Sequence, residues 1–172
     1  AHQVAFQIWF THAMAMDAMA IAAQAMIGNL LGAGDSSEAK KVGERAIIWS
    51  VGIGVASGAL LAAIHIPLSE VFSNDPAVTA LASFLFIYVA AMSPISGIAF
   101  ALDGILIGAG DHRYLAKAMV TATVCTVPIM FFTRILDLGI GWLWATICLF
   151  MGLRSLLLGM RFRSERWMVT GI

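Results

Sequence analysis

Five long runs of apolar positions, each closed by glycine, proline or a short charged cluster, set the pattern of this chain. They cover about Val4 to Leu31, Ala46 to Ile66, Pro76 to Gly108, Tyr114 to Thr133 and Leu138 to Arg161. A helix that crosses the hydrocarbon core takes about 20 mostly apolar residues, so all five meet or approach spanning length. In lipid a helix satisfies its own backbone polar groups within one segment. The pattern therefore predicts an all-α integral membrane bundle of five transmembrane helices, with no linker or second domain.

The residues between the runs say how each helix stops and starts. Gly32-Ala33-Gly34 permits the left-handed cap that closes the first segment, and Asp35 with Glu38 can open the next. The polar stretch Ser36 to Arg45 reads as an amphipathic extension at the interface. Segment two carries Gly52, Gly54, Ala56, Gly58, Ala59, Ala62 and Ala63, and such small residues let helix backbones approach closely in lipid. Pro67 is expected to end it. Asp75 then reads as an N-cap with Pro76 at the first helical position. Segment three exceeds the bilayer thickness at about 1.5 Å per residue, and Pro94 in its middle favours a bend. It closes on Gly108-Ala109-Gly110-Asp111, repeating the turn after segment one. Segments four and five form a hairpin across Asp137, Gly139 and Gly141, with a possible kink at Pro128. Trp142 and Trp144 fit an outer interfacial belt and Trp167 an inner one.

Composition agrees. The chain is 60% hydrophobic and 12% charged, where soluble domains carry roughly 25% charged residues. A net formal charge of zero gives no reason to expect a nucleic-acid partner. Cys125 and Cys148 have no metal-ligand spacing and read as small buried hydrophobes. The placement of charge adds an orientation. Lys40, Lys41 and Arg45 follow segment one, Arg113 and Lys117 follow segment three, and Arg154, Arg161, Arg163 and Arg166 lie at the end of segment five and after it. Only Arg134 sits on the other side. Positive charge near membrane ends stays cytoplasmic, which puts those loops and the C-terminus inside a multi-pass cell membrane protein. Five spans put the two ends on opposite sides, and a start on the outside without a leader implies a piece of a longer chain with a helix upstream.

Ionisable residues at membrane depth cost a few kcal/mol by insertion scales and face the bundle interior. Asp17 and Asp103 are the two candidates. At about 100° per residue, Gln24 lies about 20°, Gln3 about 40° and Gln7 about 80° from Asp17. Segment one therefore carries a polar stripe of Gln3, Gln7, Asp17 and Gln24, with Met14 beside it and Met19 and Met26 widening a soft surface. Ser96 lies about 20° and Ser93 about 80° from Asp103. A carbonyl freed by Pro94 is an acceptor in its own right. Each aspartate has a plainer role open to it, accepting hydrogen bonds from a neighbouring helix, and the glutamines can simply hold helices together. His12 lies about 140° from Asp17 and shares no face with it. No catalytic dyad and no metal-ligand spacing stand out, so neither an enzyme nor a cofactor is indicated.

At these residues the chain resembles the MATE (multidrug and toxic compound extrusion) transporters and, within them, the DinF-like branch. The matching text is Ala1-His2-Gln3-Val4-Ala5-Phe6-Gln7, Ala20-Ile21-Ala22-Ala23-Gln24-Ala25 running into Gly32-Ala33-Gly34-Asp35, Phe72-Ser73-Asn74-Asp75-Pro76-Ala77-Val78, and Leu102-Asp103-Gly104-Ile105-Leu106-Ile107-Gly108-Ala109. The set spans most of the first 110 residues in order, while segments four and five match only in length and placement. The resemblance implies helices eight to twelve of a twelve-helix transporter, making residues 1–172 a partial C-terminal lobe facing an N-terminal lobe. It implies antiport, with export of amphipathic, often cationic small molecules against protons or sodium ions. In the DinF branch the proton-linked aspartates are placed in the N-terminal lobe. Sodium-linked relatives use acids on helices seven and ten, and the helix-ten acid aligns near Ser96 instead of Asp103. Two alternatives stay open: a flippase for lipid-linked sugars, against which stands the expectation of no Lys or Arg at mid-depth, and a non-transporting assembly subunit.

Overall fold

The structure, a computed structural model, describes residues 1–170. Five helices follow one another: α1 (His2–Gly32), α2 (Ser36–Phe72), α3 (Pro76–Gly108), α4 (His112–Ile135) and α5 (Ile140–Arg163). All five are long and apolar enough to cross a membrane. This is the all-α bundle that the apolar runs predict.

The turns form through local chemistry. Gly34 and Gly110 sit at φ +83° and +72°, each two residues past the last helical residue. The next amide reaches back, Asp35 N–H to the Leu30 carbonyl and Asp111 N–H to the Leu106 carbonyl, both at 2.9 Å. These bonds satisfy carbonyls that the helix end would leave open. Asp35 Oδ1 accepts from Glu38 N–H at 2.9 Å, and Asp75 Oδ1 from Ala77 N–H at 2.9 Å, so both act as N-caps. Asp111 makes no such cap; its carboxylate accepts from Arg161 Nε at 2.6 Å across the bundle.

Two expectations about helix ends and walls are corrected. Pro67 does not end the second helix, which continues to Phe72. Proline costs one backbone bond, whereas stopping inside hydrocarbon would expose several carbonyls, so continuing is the cheaper course. Pro94 lies inside α3, which runs as helix from Pro76 to Gly108. Trp144 and Trp167 are not belt residues: each is 1% exposed. The Trp144 Nε1–H donates to His2 Nδ1 at 3.3 Å and the Trp167 Nε1–H to the Phe162 carbonyl at 2.9 Å. Trp142 does face outward. So does Cys125, while Cys148 is half-buried.

α3 is the central post. In its most apolar stretch 56% of residues are buried, against 17 to 28% in the other four helices. Near one end Leu85, Phe86, Val89 and Met92 pack with Ala5 and Trp144. Near the other Leu102, Ile105 and Leu106 pack with Ile27, Leu31 and Leu158. Between these clusters α3 reads Ser93 to Ala101, where the residues are smaller.

Small residues set how close the helices come. A Cβ added at Gly104 would lie 2.1 Å from the Ala20 carbonyl oxygen, and one at Gly108 2.4 Å from that of Gln24. On the α2 side, added Cβ atoms at Gly54 and Gly58 would meet the carbonyl oxygens of Ser93 and Ala90 at 2.6 Å. The Ala90 carbonyl is the one that Pro94 deprives of an amide, four residues on. Backbone contact without side chains between is how helices associate where lipid supplies no hydrophobic drive.

Candidate functional site

The contact of Gly104 with Ala20 fixes the site. It brings Asp103, one residue before Gly104, alongside α1 one turn past Asp17. Two adjoining hollows open there. The larger, about 730 Å³, lies among α1, α3 and α5, with Phe6, Phe10, Met14, Phe100 and Trp144 supplying much of its wall. The smaller, about 480 Å³, adds α4 and is lined by Gln24, Asp103, His112 and Met119 among others. Asp17, Phe100 and Arg154 belong to both. The larger hollow is thus aromatic and apolar, with its charge concentrated where it meets the smaller one.

Arg154 is the residue that the reading of the sequence missed. Its count among the cytoplasmic end charges was wrong: it stands nine residues before the end of α5, about 13 Å along the axis. It belongs to a face running Trp144, Ile147, Met151, Arg154 and Leu158, the spacing of a single helix stripe. Four of the five line the larger hollow. That stripe was the available signal. The side chain is 13% exposed and pairs through Nη2 with Asp103 Oδ2. Its guanidinium carbon lies 5.9 Å from the centre of the Phe100 ring. Asp17 lines both hollows together with it. The expectation of no Lys or Arg at mid-depth is therefore corrected.

The predicted site residues divide. Asp17 and Gln24 face the hollows from α1 and are exposed within this chain, while Asp103 is buried at 8% exposure. Gln3 and Gln7 are exposed but belong to neither lining. Ser96 is buried and its hydroxyl has no partner among the described residues, as is true of Ser50 on α2. Ser93 donates to the Val89 carbonyl at 2.7 Å. Met19 and Met26 do not extend the polar stripe; they line a separate groove with Arg45 and Trp49 on the opposite side of α1. His12, turned away from Asp17, meets the Ser57 hydroxyl at 3.2 Å. Among the described residues no three His, Cys, Asp or Glu side chains gather as a metal site.

Such a site can hold an amphipathic molecule. Aromatic walls take an apolar body, and a carboxylate at one end takes a positive charge or a proton. The charge count favours this: two carboxylates and one guanidinium leave one negative charge uncompensated.

The chain's relatives agree on a class. It is 28% identical to Protein DETOXIFICATION 43 of Arabidopsis thaliana over 91% of its own length and 30% of that protein. Protein DETOXIFICATION 44, chloroplastic, of the same plant is 30% identical over 89% of this chain and 29% of its own length. The human Multidrug and toxin extrusion protein 2 is 27% identical over 73% of the chain and 21% of that protein. The chain thus spans less than a third of these relatives. No solved structure matches it. The sequence profile of the MatE family covers residues 1–132, through α3 and most of α4. That match covers more than half of the chain and takes in three whole spanning helices and most of a fourth, so the chain belongs to the MatE family.

Proposed function

We propose that this chain is the C-terminal part of a DinF-like antiporter in the cell membrane. It exports amphipathic, often cationic compounds in exchange for protons or sodium ions, and works against an N-terminal lobe of the same transporter. The basic ends of the spans place the C-terminus in the cytoplasm under this reading. Helices α1, α3, α4 and α5 form one wall of the substrate cavity.

The observation that carries it is Asp17: an acid at mid-helix on the wall of an aromatic hollow that Arg154 also lines, with Arg154 paired to Asp103 and not to Asp17. A carboxylate on an otherwise apolar wall is the natural partner for a cationic group. Occupancy by the cargo excludes the coupling ion, and that exclusion, joined to a rearrangement of the lobes, is enough for exchange. Gln24 lies close by to orient a polar group, and Pro94 stands where α3 is narrowest. The flippase alternative needs several cations around its cargo; the two hollows hold no lysine and no arginine besides Arg154.

The test is Asp17→Asn in the full-length protein. Ethidium export driven by a proton or sodium gradient should fall to background with membrane abundance unchanged. Export equal to wild type removes Asp17 from the mechanism.

A further inference from the structure

Asp103 and Arg154 form an ion pair made at one point. Arg154 Nη2 meets Asp103 Oδ2, while Arg154 Nε and Asp103 Oδ1 are both buried without a partner among the described residues. A guanidinium and a carboxylate can form two parallel bonds, and that forked form is the geometrically fixed one. The single-point form leaves a donor and an acceptor unspent in a place where each is costly. The guanidinium therefore has reason to turn, and a second carboxylate, Asp17, lines the same two hollows. The charged and titratable groups around the two hollows are Asp17 from α1, Asp103 from α3, His112 from α4 and Arg154 from α5; α2 lines neither. His112, at the start of α4, is exposed at the rim. The interior trio thus holds two acids and one built-in cation.

We propose that Arg154 is a tethered cation that competes with the transported cation for Asp17, with Asp103 as its resting partner. While cargo or a proton occupies Asp17, Arg154 stays on Asp103. When Asp17 empties, the guanidinium can turn its unspent Nε toward it while Nη2 stays with Asp103, so that one cation is shared between the two carboxylates. Asp103 is then a holder of the arginine and not itself the exchange site. Arg154 becomes the residue that sets how tightly cations are held. The inference rests on Asp17 as the exchange carboxylate.

The experiment measures ethidium transport by the full-length protein in vesicles, as KM and maximal rate. Asp103→Asn removes the resting partner and releases the arginine onto Asp17. A nearby opposite charge is worth about 1 to 3 log units, so KM should rise by at least about tenfold, with the maximal rate held within about twofold. Asp103→Asn combined with Arg154→Gln removes the competitor too, and KM should return to the wild-type value or below it. A KM that stays raised in the double variant, or that does not move in Asp103→Asn, overturns the proposal. If the Asp103 variants do not reach the membrane, Arg154→Gln against Arg154→Lys decides. The first should lower KM and the second, which keeps the charge, should not; an unchanged KM in Arg154→Gln overturns it. A wild-type protein that moves no ethidium under either gradient overturns the antiport reading itself, a result distinct from all of these.

Discussion

Gly104→Ala is expected to destabilise the bundle although alanine favours helix. The added methyl would lie 2.1 Å from the Ala20 carbonyl oxygen, 2.7 Å from its carbonyl carbon and 2.8 Å from its Cα. Ordinary contact begins at 3.4 Å, so α1 and α3 must part by about 1.3 Å, and the obstacle is backbone that has no rotamer to change. Overpacking of this kind costs about 1 to 3 kcal/mol, and a rigid obstacle puts it at the upper end. Alanine returns about 1 kcal/mol of helix propensity. The net loss is about 2 kcal/mol. Gly52 is the internal control, with nothing within 4 Å of its added Cβ, so Gly52→Ala should be neutral or slightly stabilising. Thermal unfolding of the full-length protein in detergent, followed by tryptophan fluorescence, should show the Gly104 variant melting several degrees below wild type and the Gly52 variant at or above it. Ethidium transport should fall with Gly104→Ala as well, because parting the helices moves Asp17 away from Asp103 and Arg154. Equal melting of the two variants would refute the claim that backbone contact holds α1 to α3.

Two further substitutions probe the join between α4 and α5. Arg161→Ala removes a largely buried pair with Asp111 and the guanidinium 4.9 Å from the Tyr114 ring centre. A loss of about 1 to 3 kcal/mol in the same melting assay is expected, reduced by high salt only in part. Tyr114→Phe keeps the ring but deletes the hydroxyl that donates to the Leu157 carbonyl at 2.9 Å. It should cost about 0.5 to 1.5 kcal/mol, less than Arg161→Ala.

Features set by neighbouring residues were legible in the sequence, and features set by the rotation of one helix against another were less so. The caps at Asp35 and Asp75 and the left-handed turns at Gly34 and Gly110 follow from what those side chains do to their own backbone. The small residues of α2 could be read as a contact face, and Gly54 and Gly58 do meet α3. Trp144 could not be placed, since an indole N–H is satisfied equally by a headgroup region or by His2, and only the packing of α1 against α5 decides between them. Arg154 was miscounted for a related reason. Proximity to a helix end reads as an end charge, unless the stripe from Trp144 to Leu158 is recognised as a buried face. Of the stripe on α1, rotation puts Asp17 and Gln24 on the hollows, while Gln3 and Gln7 lie outside their linings.

The two aspartates differ in a way that separates structure from exchange. Asp103 is buried on the central helix, beside the glycine that touches α1, and it has a cation in hand. Moving it would disturb the contact of Gly104 with the α1 backbone at Ala20. Asp17 stands on a helix whose apolar stretch is only 28% buried, and it is open to the hollow. A charged group left at that depth against acyl chains would cost about 2.5 to 3.5 kcal/mol. It must therefore face water, cargo, a proton or another part of the transporter at every stage. A group whose partner has to change as the cavity opens and closes is suited to exchange. One whose partner is built in is suited to hold the rest in place.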